Sequence, residues 1–347
     1  MFISRLGLSL MMTLCYGRRM HLDDPLTAEI IDVEDQLLGL RSPSGNYLDY
    51  LPFLHRLPLT PLAQKAASLR DRRDAYVLRL KEEVEQKIMM GTHRPCLYTK
   101  NHFSAHPLST SEVSMILVTL VSSGLATATN TVRWCMTLLA TRPDLQEAAF
   151  NAIRKGYPTD REAFEAVMKD DEEVPYISAL VRESLRYVSL HTICQFRKTA
   201  CRDSMRRTKP CLQGVFSGEG FSSSSQRAGI PVSREDRPTQ CHDPSVYGDP
   251  EIFRPERWLE DPDLPLFSFG LGYRMCPSLH FALREVYTML TQIIVTFSVS
   301  GAEDLDPNPI SGCGTTPNLV TAPAKSKLYL KPRDKSSIES ILASYDD

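Results

Sequence analysis

Residues 267–277 read Phe267-Ser268-Phe269-Gly270-Leu271-Gly272-Tyr273-Arg274-Met275-Cys276-Pro277, and a long helical pattern begins directly after them. A glycine-bearing loop thus carries one thiol up to the start of a helix. Unpaired N–H groups and the positive end of the helix dipole favour an anion there, so the position suits a thiolate that acts as a metal ligand. Pro277 is expected at the first helical position, where its missing donor costs nothing. Two plainer readings stay open at this point. One is a buried structural thiol, a common fate of free cysteine. The other is half of a zinc site shared with His280, for which no second Cys/His pair stands at ligand spacing.

Upstream of the loop, Val181-Arg182-Glu183-Ser184-Leu185-Arg186 places Glu183 and Arg186 three apart on a helix, so that they share a face. Taken alone, such a pair is a solvated surface contact of little energetic weight. Between it and the loop, Phe253-Arg254-Pro255-Glu256-Arg257-Trp258 offers a second guanidinium at Arg257. Farther back, Ser109 and Glu112 form a capping-box pattern ahead of a largely apolar stretch, Val113 to Leu139, long enough for about seven helical turns. That helix is expected to cross the interior. It contains Ser123-Gly124-Leu125-Ala126-Thr127, whose hydroxyls can simply bond back to their own helix.

The remaining text fits a mainly helical chain. A helix is expected near Leu6–Tyr16, another from about Leu62 to Met90, one starting at Pro143 with Leu145, Ala148, Phe150 and Ile153 facing inward, and one from Pro175 through Tyr187. The charge runs Arg70–Asp74 and Lys81–Glu83 suit a solvated face. Turns are expected at Ser42–Asn46 and from Pro52 to Pro61, and an extended piece at Ser326–Leu330. Residues 200–240, with Ser222-Ser223-Ser224-Ser225 and scattered glycines, show neither helical nor strand periodicity and are expected to be poorly ordered.

Bulk properties narrow the function. The chain of 347 residues can bury a large core. Lys plus Arg total 40 against 42 for Asp plus Glu, a net charge of -2, and no basic block tracks phosphates, so no nucleic-acid partner is implied. Nine scattered cysteines, an odd number, suit reduced thiols of a cytosol-facing protein rather than a disulfide frame. The run Leu6–Tyr16 is too short to span a bilayer and lacks a signal-peptide cleavage pattern, so it reads as a core helix.

The spacing Phe269, Gly272, Arg274, Cys276 resembles the haem loop of the cytochrome P-450 family, the haem-thiolate monooxygenases, in which the pattern is Phe-x-x-Gly-x-Arg-x-Cys-x-Gly. The resemblance implies that Cys276 is the axial ligand of the haem iron, a sulfur whose electron donation favours O–O cleavage. Arg274 would meet a haem propionate, Phe269 would shield the sulfur, and Gly270 and Gly272 would let the backbone turn tightly. It implies also that Glu183 and Arg186 match the family's Glu-x-x-Arg and that Arg257 completes a buried structural triad, which is tolerable only when fully paired. Gly124 would permit a local widening of the central helix, and Thr127 would serve the oxygen site and proton delivery. Thr315-Thr316-Pro317-Asn318-Leu319-Val320-Thr321 matches the turn that enters the substrate cavity, or is an ordinary turn. Two positions depart from the pattern: Ser278 stands where the family has Gly, and Ala126 where it has an acid.

Within the family the chain is similar to filamentous-fungal phenylacetate and hydroxyphenylacetate hydroxylases, through Leu69–Tyr76, Gly91–Cys96, Val121–Leu125, Glu173–Tyr176 and Tyr273–Cys276. The expected fold is therefore the mainly α cytochrome P-450 fold with a small β region, as one domain over 1–347. It would lack the N-terminal membrane anchor and first helices, and carry 200–240 as an aberrant insert. The implied activity is insertion of one oxygen atom from dioxygen into a small hydrophobic, aromatic-acid substrate. The implied partners are haem, with NADPH as the indirect electron source, and a flavoprotein reductase. Family members sit on the cytosolic face of the endoplasmic reticulum, so without an anchor this chain would be cytosolic or peripheral. A competing reading is a non-catalytic remnant that holds haem weakly or not at all.

Overall fold

A computed structural model describes residues 2–21, 23–41, 61–167, 174–188, 241–270, 275–302, 304–314 and 320–343. The expectations for 42–60, 200–240, Gly272, Arg274 and 315–319 lie outside the described residues.

The chain runs through α1 (Phe2–Tyr16), α2 (Pro25–Leu40), α3 (Pro61–Met89), α4 (Leu97–His102), α5 (Thr110–Thr141), α6 (Pro143–Gly156), α7 (Asp160–Ala166) and α8 (Pro175–Val188). After them come the short α9 (Pro244–Tyr247) and α10 (Arg257–Glu260), a 3-10 turn (Phe267–Phe269), α11 (Leu279–Thr296), β1 (Phe297–Gly301), β2 (Leu328–Pro332) and α12 (Lys335–Ala343). Local chemistry sets many of the boundaries. Asp24 caps α2 through Leu26 N and is followed by Pro25, Ser109 and Glu112 close a reciprocal capping box on α5, and Thr159 with Glu162 does the same on α7. Gly91, at φ 68°, ends the turn after α3 in the left-handed region.

The apolar helix α5 crosses the interior and belongs to two packed clusters. Its first half, with Leu117, Val121 and Leu125, packs among Leu8, Met12 and Cys15 of α1, Ile30 and Val33 of α2, and Leu69 and Leu80 of α3. Its second half, from Ala126 through Trp134 to Leu139, packs against α6, α8 and α11, where Ile153, Ile177, Leu290 and Ile294 are fully buried. Thr119, Thr131 and Thr137 on this helix donate to the carbonyls of Met115, Thr127 and Arg133, four residues back, so these three hydroxyls sit on an apolar helix with their donors satisfied. Alone among the described residues, α5 is long and apolar enough to cross a membrane, but half of its apolar window is buried inside the molecule.

Strands β1 and β2 pair antiparallel, from Phe297 opposite Pro332 to Gly301 opposite Leu328. Gln146 of α6 satisfies the open edge of β1: its Oε1 accepts from Val299 N at 2.7 Å and its Nε2 donates to Val299 O at 3.0 Å. On α6, Leu145, Ala149 and Ile153 are the buried apolar positions, whereas Ala148 and Phe150, expected inward, are half-buried. Phe150 instead packs its ring under the guanidinium of Arg333, 4.1 Å from the ring centre, a cation–π contact that lets it stay at the margin.

Candidate functional site

Glu183, on α8, is fully buried and is the centre of a polar node. Arg186 meets its carboxylate in a forked pair, Nε to Oε2 at 2.9 Å and Nη2 to Oε1 at 2.8 Å. Arg257, from α10, adds Nε at 3.1 Å. Trp258 Nε1 donates at 2.9 Å and the Arg254 backbone N–H at 2.9 Å. With Arg186 wholly buried and Arg257 3% exposed, the surface-pair alternative is excluded. The node holds one carboxylate and two guanidinium groups, and the excess donors end on backbone carbonyls. Arg186 reaches Cys241 and Pro250, each at 2.9 Å, and Arg257 reaches Tyr247, Asp249 and Ile252. These carbonyls all belong to 241–252, so the node fixes a segment whose regular structure is the single turn of α9.

That segment leads to the cysteine loop. The ring of Tyr247 lies beside Trp258 and edge-on to Phe267, and its hydroxyl donates to Pro265 O. Ser268 Oγ donates to Leu185 O on α8 at 2.7 Å, which ties the 3-10 turn directly to the helix that carries Glu183. Gly270 then turns the chain at φ 78°, a conformation open to glycine at no steric cost. The Cys276 amide returns to donate to Phe269 O at 2.8 Å, closing the loop.

Cys276 is partly exposed and unbridged. The helix behind it begins at Leu279, not at Pro277: Pro277 and Ser278 form a turn, and Ser278 O accepts the first helical bond from Ala282 N at 2.8 Å. The Phe269 bond fixes the backbone at Cys276, and the turn at 277–278 then redirects the chain into α11. The thiol therefore stands off the end of the helix rather than on its first turn. Cys15 and Cys135 are buried instead, and burial pushes their thiols up to about 12, which leaves them inert near neutral pH. Among the described residues no three His, Cys, Asp or Glu side chains converge to hold an ion. Cys276 thus belongs to no such cluster among the described residues, and a single thiolate is what the axial site of a porphyrin iron asks for. The donor chemistry of Cys276 is compatible with a haem.

Residues of α2, α3 and α5, with Arg41 and Val320, line an open cleft of about 400 Å³. Ser123, Ala126 and Thr127 form part of its wall. Thr127 Oγ1 donates to Ser123 O at 2.8 Å, and Ser123 Oγ to Thr119 O at 2.6 Å. Gly124 is not a wall residue. α5 runs through it as unbroken α-helix, and α1 packs onto it so closely that a Cβ there would lie 2.3 Å from Met11 Sδ. The structure thus brings Thr127 to the cleft and Gly124 to a helix–helix contact.

A further buried polar spot has no signal in the sequence. Glu285 of α11 is 6% exposed, and among the described residues its Oε1 and the Thr129 Oγ1 of α5 have no hydrogen-bond partner. Gly7 of α1 lies against both: a Cβ there would stand 3.2 Å from Thr129 Oγ1 and 3.7 Å from Glu285 Oε1. Burial pushes the Glu285 carboxyl up to about 8. Trp258 and the Arg254 amide, as partners of Glu183, also escape sequence reasoning; their adjacency to Arg257 is the one signal available.

The family model for cytochrome P450 matches residues 1–206 and 239–329. The chain belongs to the cytochrome P450 family. Its helices, with the small two-stranded sheet, are those of a P450 fold, and the family uses haem. Among curated P450 relatives, the chain is 34% identical over 345 residues to "3-hydroxyphenylacetate 6-hydroxylase" of Emericella nidulans, an alignment that covers 98% of this chain and 63% of the relative. It is 30% identical over 363 residues to "Phenylacetate 2-hydroxylase" of the same organism, covering 100% of this chain and 65% of the relative. It is 27% identical over 356 residues to "Cytochrome P450 monooxygenase CYP3" of Mycosarcoma maydis, covering 98% and 62%. The chain thus spans a little under two thirds of the length of these P450s.

Proposed function

We propose that this P450 is a haem-thiolate monooxygenase that inserts one atom of dioxygen into a small aromatic acid, the other atom leaving as water, with electrons drawn from NADPH through a flavoprotein reductase. The observation that carries the reading is the Cys276 loop: a partly exposed thiol whose backbone is held by Phe269 O and whose approach is locked to α8 by Ser268 and the Glu183 node. The names of the two Emericella relatives support an aromatic acid as the substrate class.

When bound, the haem supplies the activation of dioxygen. Cys276 would be its axial ligand and Phe269 would screen the sulfur from water. By their positions in the motif, Arg274 would meet a propionate and Gly272 would ease the backbone around the sulfur. On the cleft side, Thr127 holds a proton at Oγ1, donated to Ser123 O, and that oxygen can accept in turn from a water or substrate hydroxyl in the cleft. Gly124 lets Met11 lie against α5 and so fixes where Ser123 and Thr127 stand. Glu183, Arg186 and Arg257 hold the loop in place and take no part in the chemistry.

The test is the carbon-monoxide difference spectrum of the reduced, haem-reconstituted chain. A thiolate-type Soret band that disappears in Cys276→Ala is expected. A band that survives the substitution overturns the ligand assignment, and a chain that takes up no haem is a helical P450 relative without the chemistry.

A further inference from the structure

The cleft beside Thr127 contains two positive charges for which the haem chemistry has no use. Arg41, at the end of α2, and Arg73, in the middle of α3, both line it, and the one acidic residue beside them is Asp74. The two arginines just before Arg73 in the chain have acidic neighbours: Arg72 forks onto Glu29 and reaches Asp32, and Arg70 lies against Asp71. Among the described residues, the side chain of Arg41 has one long contact, from Nη1 to Ser122 Oγ at 3.5 Å. Among the described residues, neither Arg41 nor Arg73 is paired with a carboxylate. The rest of the wall is largely apolar, with Leu38, Val77, Val118 and Val320 contributing. A pocket of this size, apolar with a few convergent charges, is the form that a small-molecule site takes.

We propose that Arg41 and Arg73 bind the carboxylate of the substrate and thereby set which end of the molecule faces Thr127. The inference rests on the substrate class proposed above. Ser122, the contact of Arg41, and Thr127 are five residues apart on α5, about 7.5 Å along the axis at ~1.5 Å per residue. That is close to the span of a benzene ring carrying a short acid arm. A carboxylate on Arg41 would direct the far edge of the ring to the part of the cleft where Thr127 stands, and the apolar wall would cover its faces. A planar guanidinium suits this role because it grips both oxygens of a carboxylate at once. Specificity would follow from the same geometry: a neutral analogue forgoes the charge-assisted bonds to both arginines.

The experiment is a calorimetric titration of the full chain with phenylacetate and with its neutral isostere phenylacetamide, for the wild type, Arg41→Gln, Arg73→Gln and the double variant. The acid is expected to bind about tenfold or more tightly than the amide. Each single variant should weaken acid binding severalfold, the double variant should bring it to the level of the amide, and amide binding should be unchanged throughout, which also serves as the control for folding. Equal binding of acid and amide by the wild type, or an acid preference that persists in the double variant, overturns the assignment of the two arginines while leaving an aromatic substrate possible. Binding of neither compound overturns both the clamp and the substrate class, and the carbon-monoxide spectrum, which does not depend on either, then decides separately whether the haem-thiolate reading stands.

Discussion

Glu285 is a carboxyl that the folded protein prefers to keep protonated. It lies between α11, α5 and α1, one of its oxygens has no hydrogen-bond partner among the described residues, and burial lifts it from an ordinary 4.5 to about 8. The folded state therefore holds a proton in a pH range where the unfolded chain has released it. Stability from this residue is at its fullest below about pH 4.5 and is lost as pH rises through about 8. The loss amounts to a few kcal/mol at most, since each tenfold difference in proton affinity between the two states is worth ~1.4 kcal/mol. Glu285→Gln replaces the acid with a permanently neutral amide of the same shape. Urea unfolding between pH 5 and 8 is expected to show a declining midpoint in the wild type and a flatter one in the variant, with the variant the more stable at pH 8. Parallel curves would mean that the carboxyl has a partner across the whole range.

At the scale of elements, the Glu183 node and the α1–α5 contact make separate demands. Glu183→Ala leaves two guanidinium groups buried without their carboxylate, and breaking a buried pair this way costs about 3–5 kcal/mol, measurable by chemical denaturation. Ser268→Ala removes a single hydrogen bond between the cysteine loop and α8, a loss of about 1 kcal/mol that should lower the unfolding midpoint, and haem is expected to leave the reconstituted protein faster than it leaves the wild type. Gly124→Ala forces a methyl into Met11. A loss of about 1–3 kcal/mol is expected, and Met11→Ala in the same chain should restore part of it, a coupling readable in a double-mutant cycle. These elements are unequally legible in the sequence. The ends of α5 and the helical pairing of Glu183 with Arg186 follow from local rules, because capping and i,i+3 spacing act within a single helix. Met11 opposite Gly124, and Ser268 reaching Leu185, depend on how distant segments pack, and no local pattern encodes that. Pro277 departs from expectation for the same reason. Its propensity favours the first helical turn, but the bond from Cys276 to Phe269 keeps the chain in the loop.

For the whole molecule, the order Glu183, Arg257, Cys276 along the chain is enough to point to the fold, since each belongs to a spaced motif. The cleft is not legible in this way: Arg41 and Arg73 come from different helices, and the charge run around Arg73 reads as a solvated face until α2 and α3 are seen lying over α5. The helix α5 has a consequence of its own. Because residues up to Leu125 belong to one apolar cluster and those from Ala126 to the other, neither cluster can melt without baring its half of that rod. Backbone amides at both ends of the rod's interior should then exchange with solvent deuterium only through one shared opening, and the chain should come apart as a single cooperative body rather than in two stages.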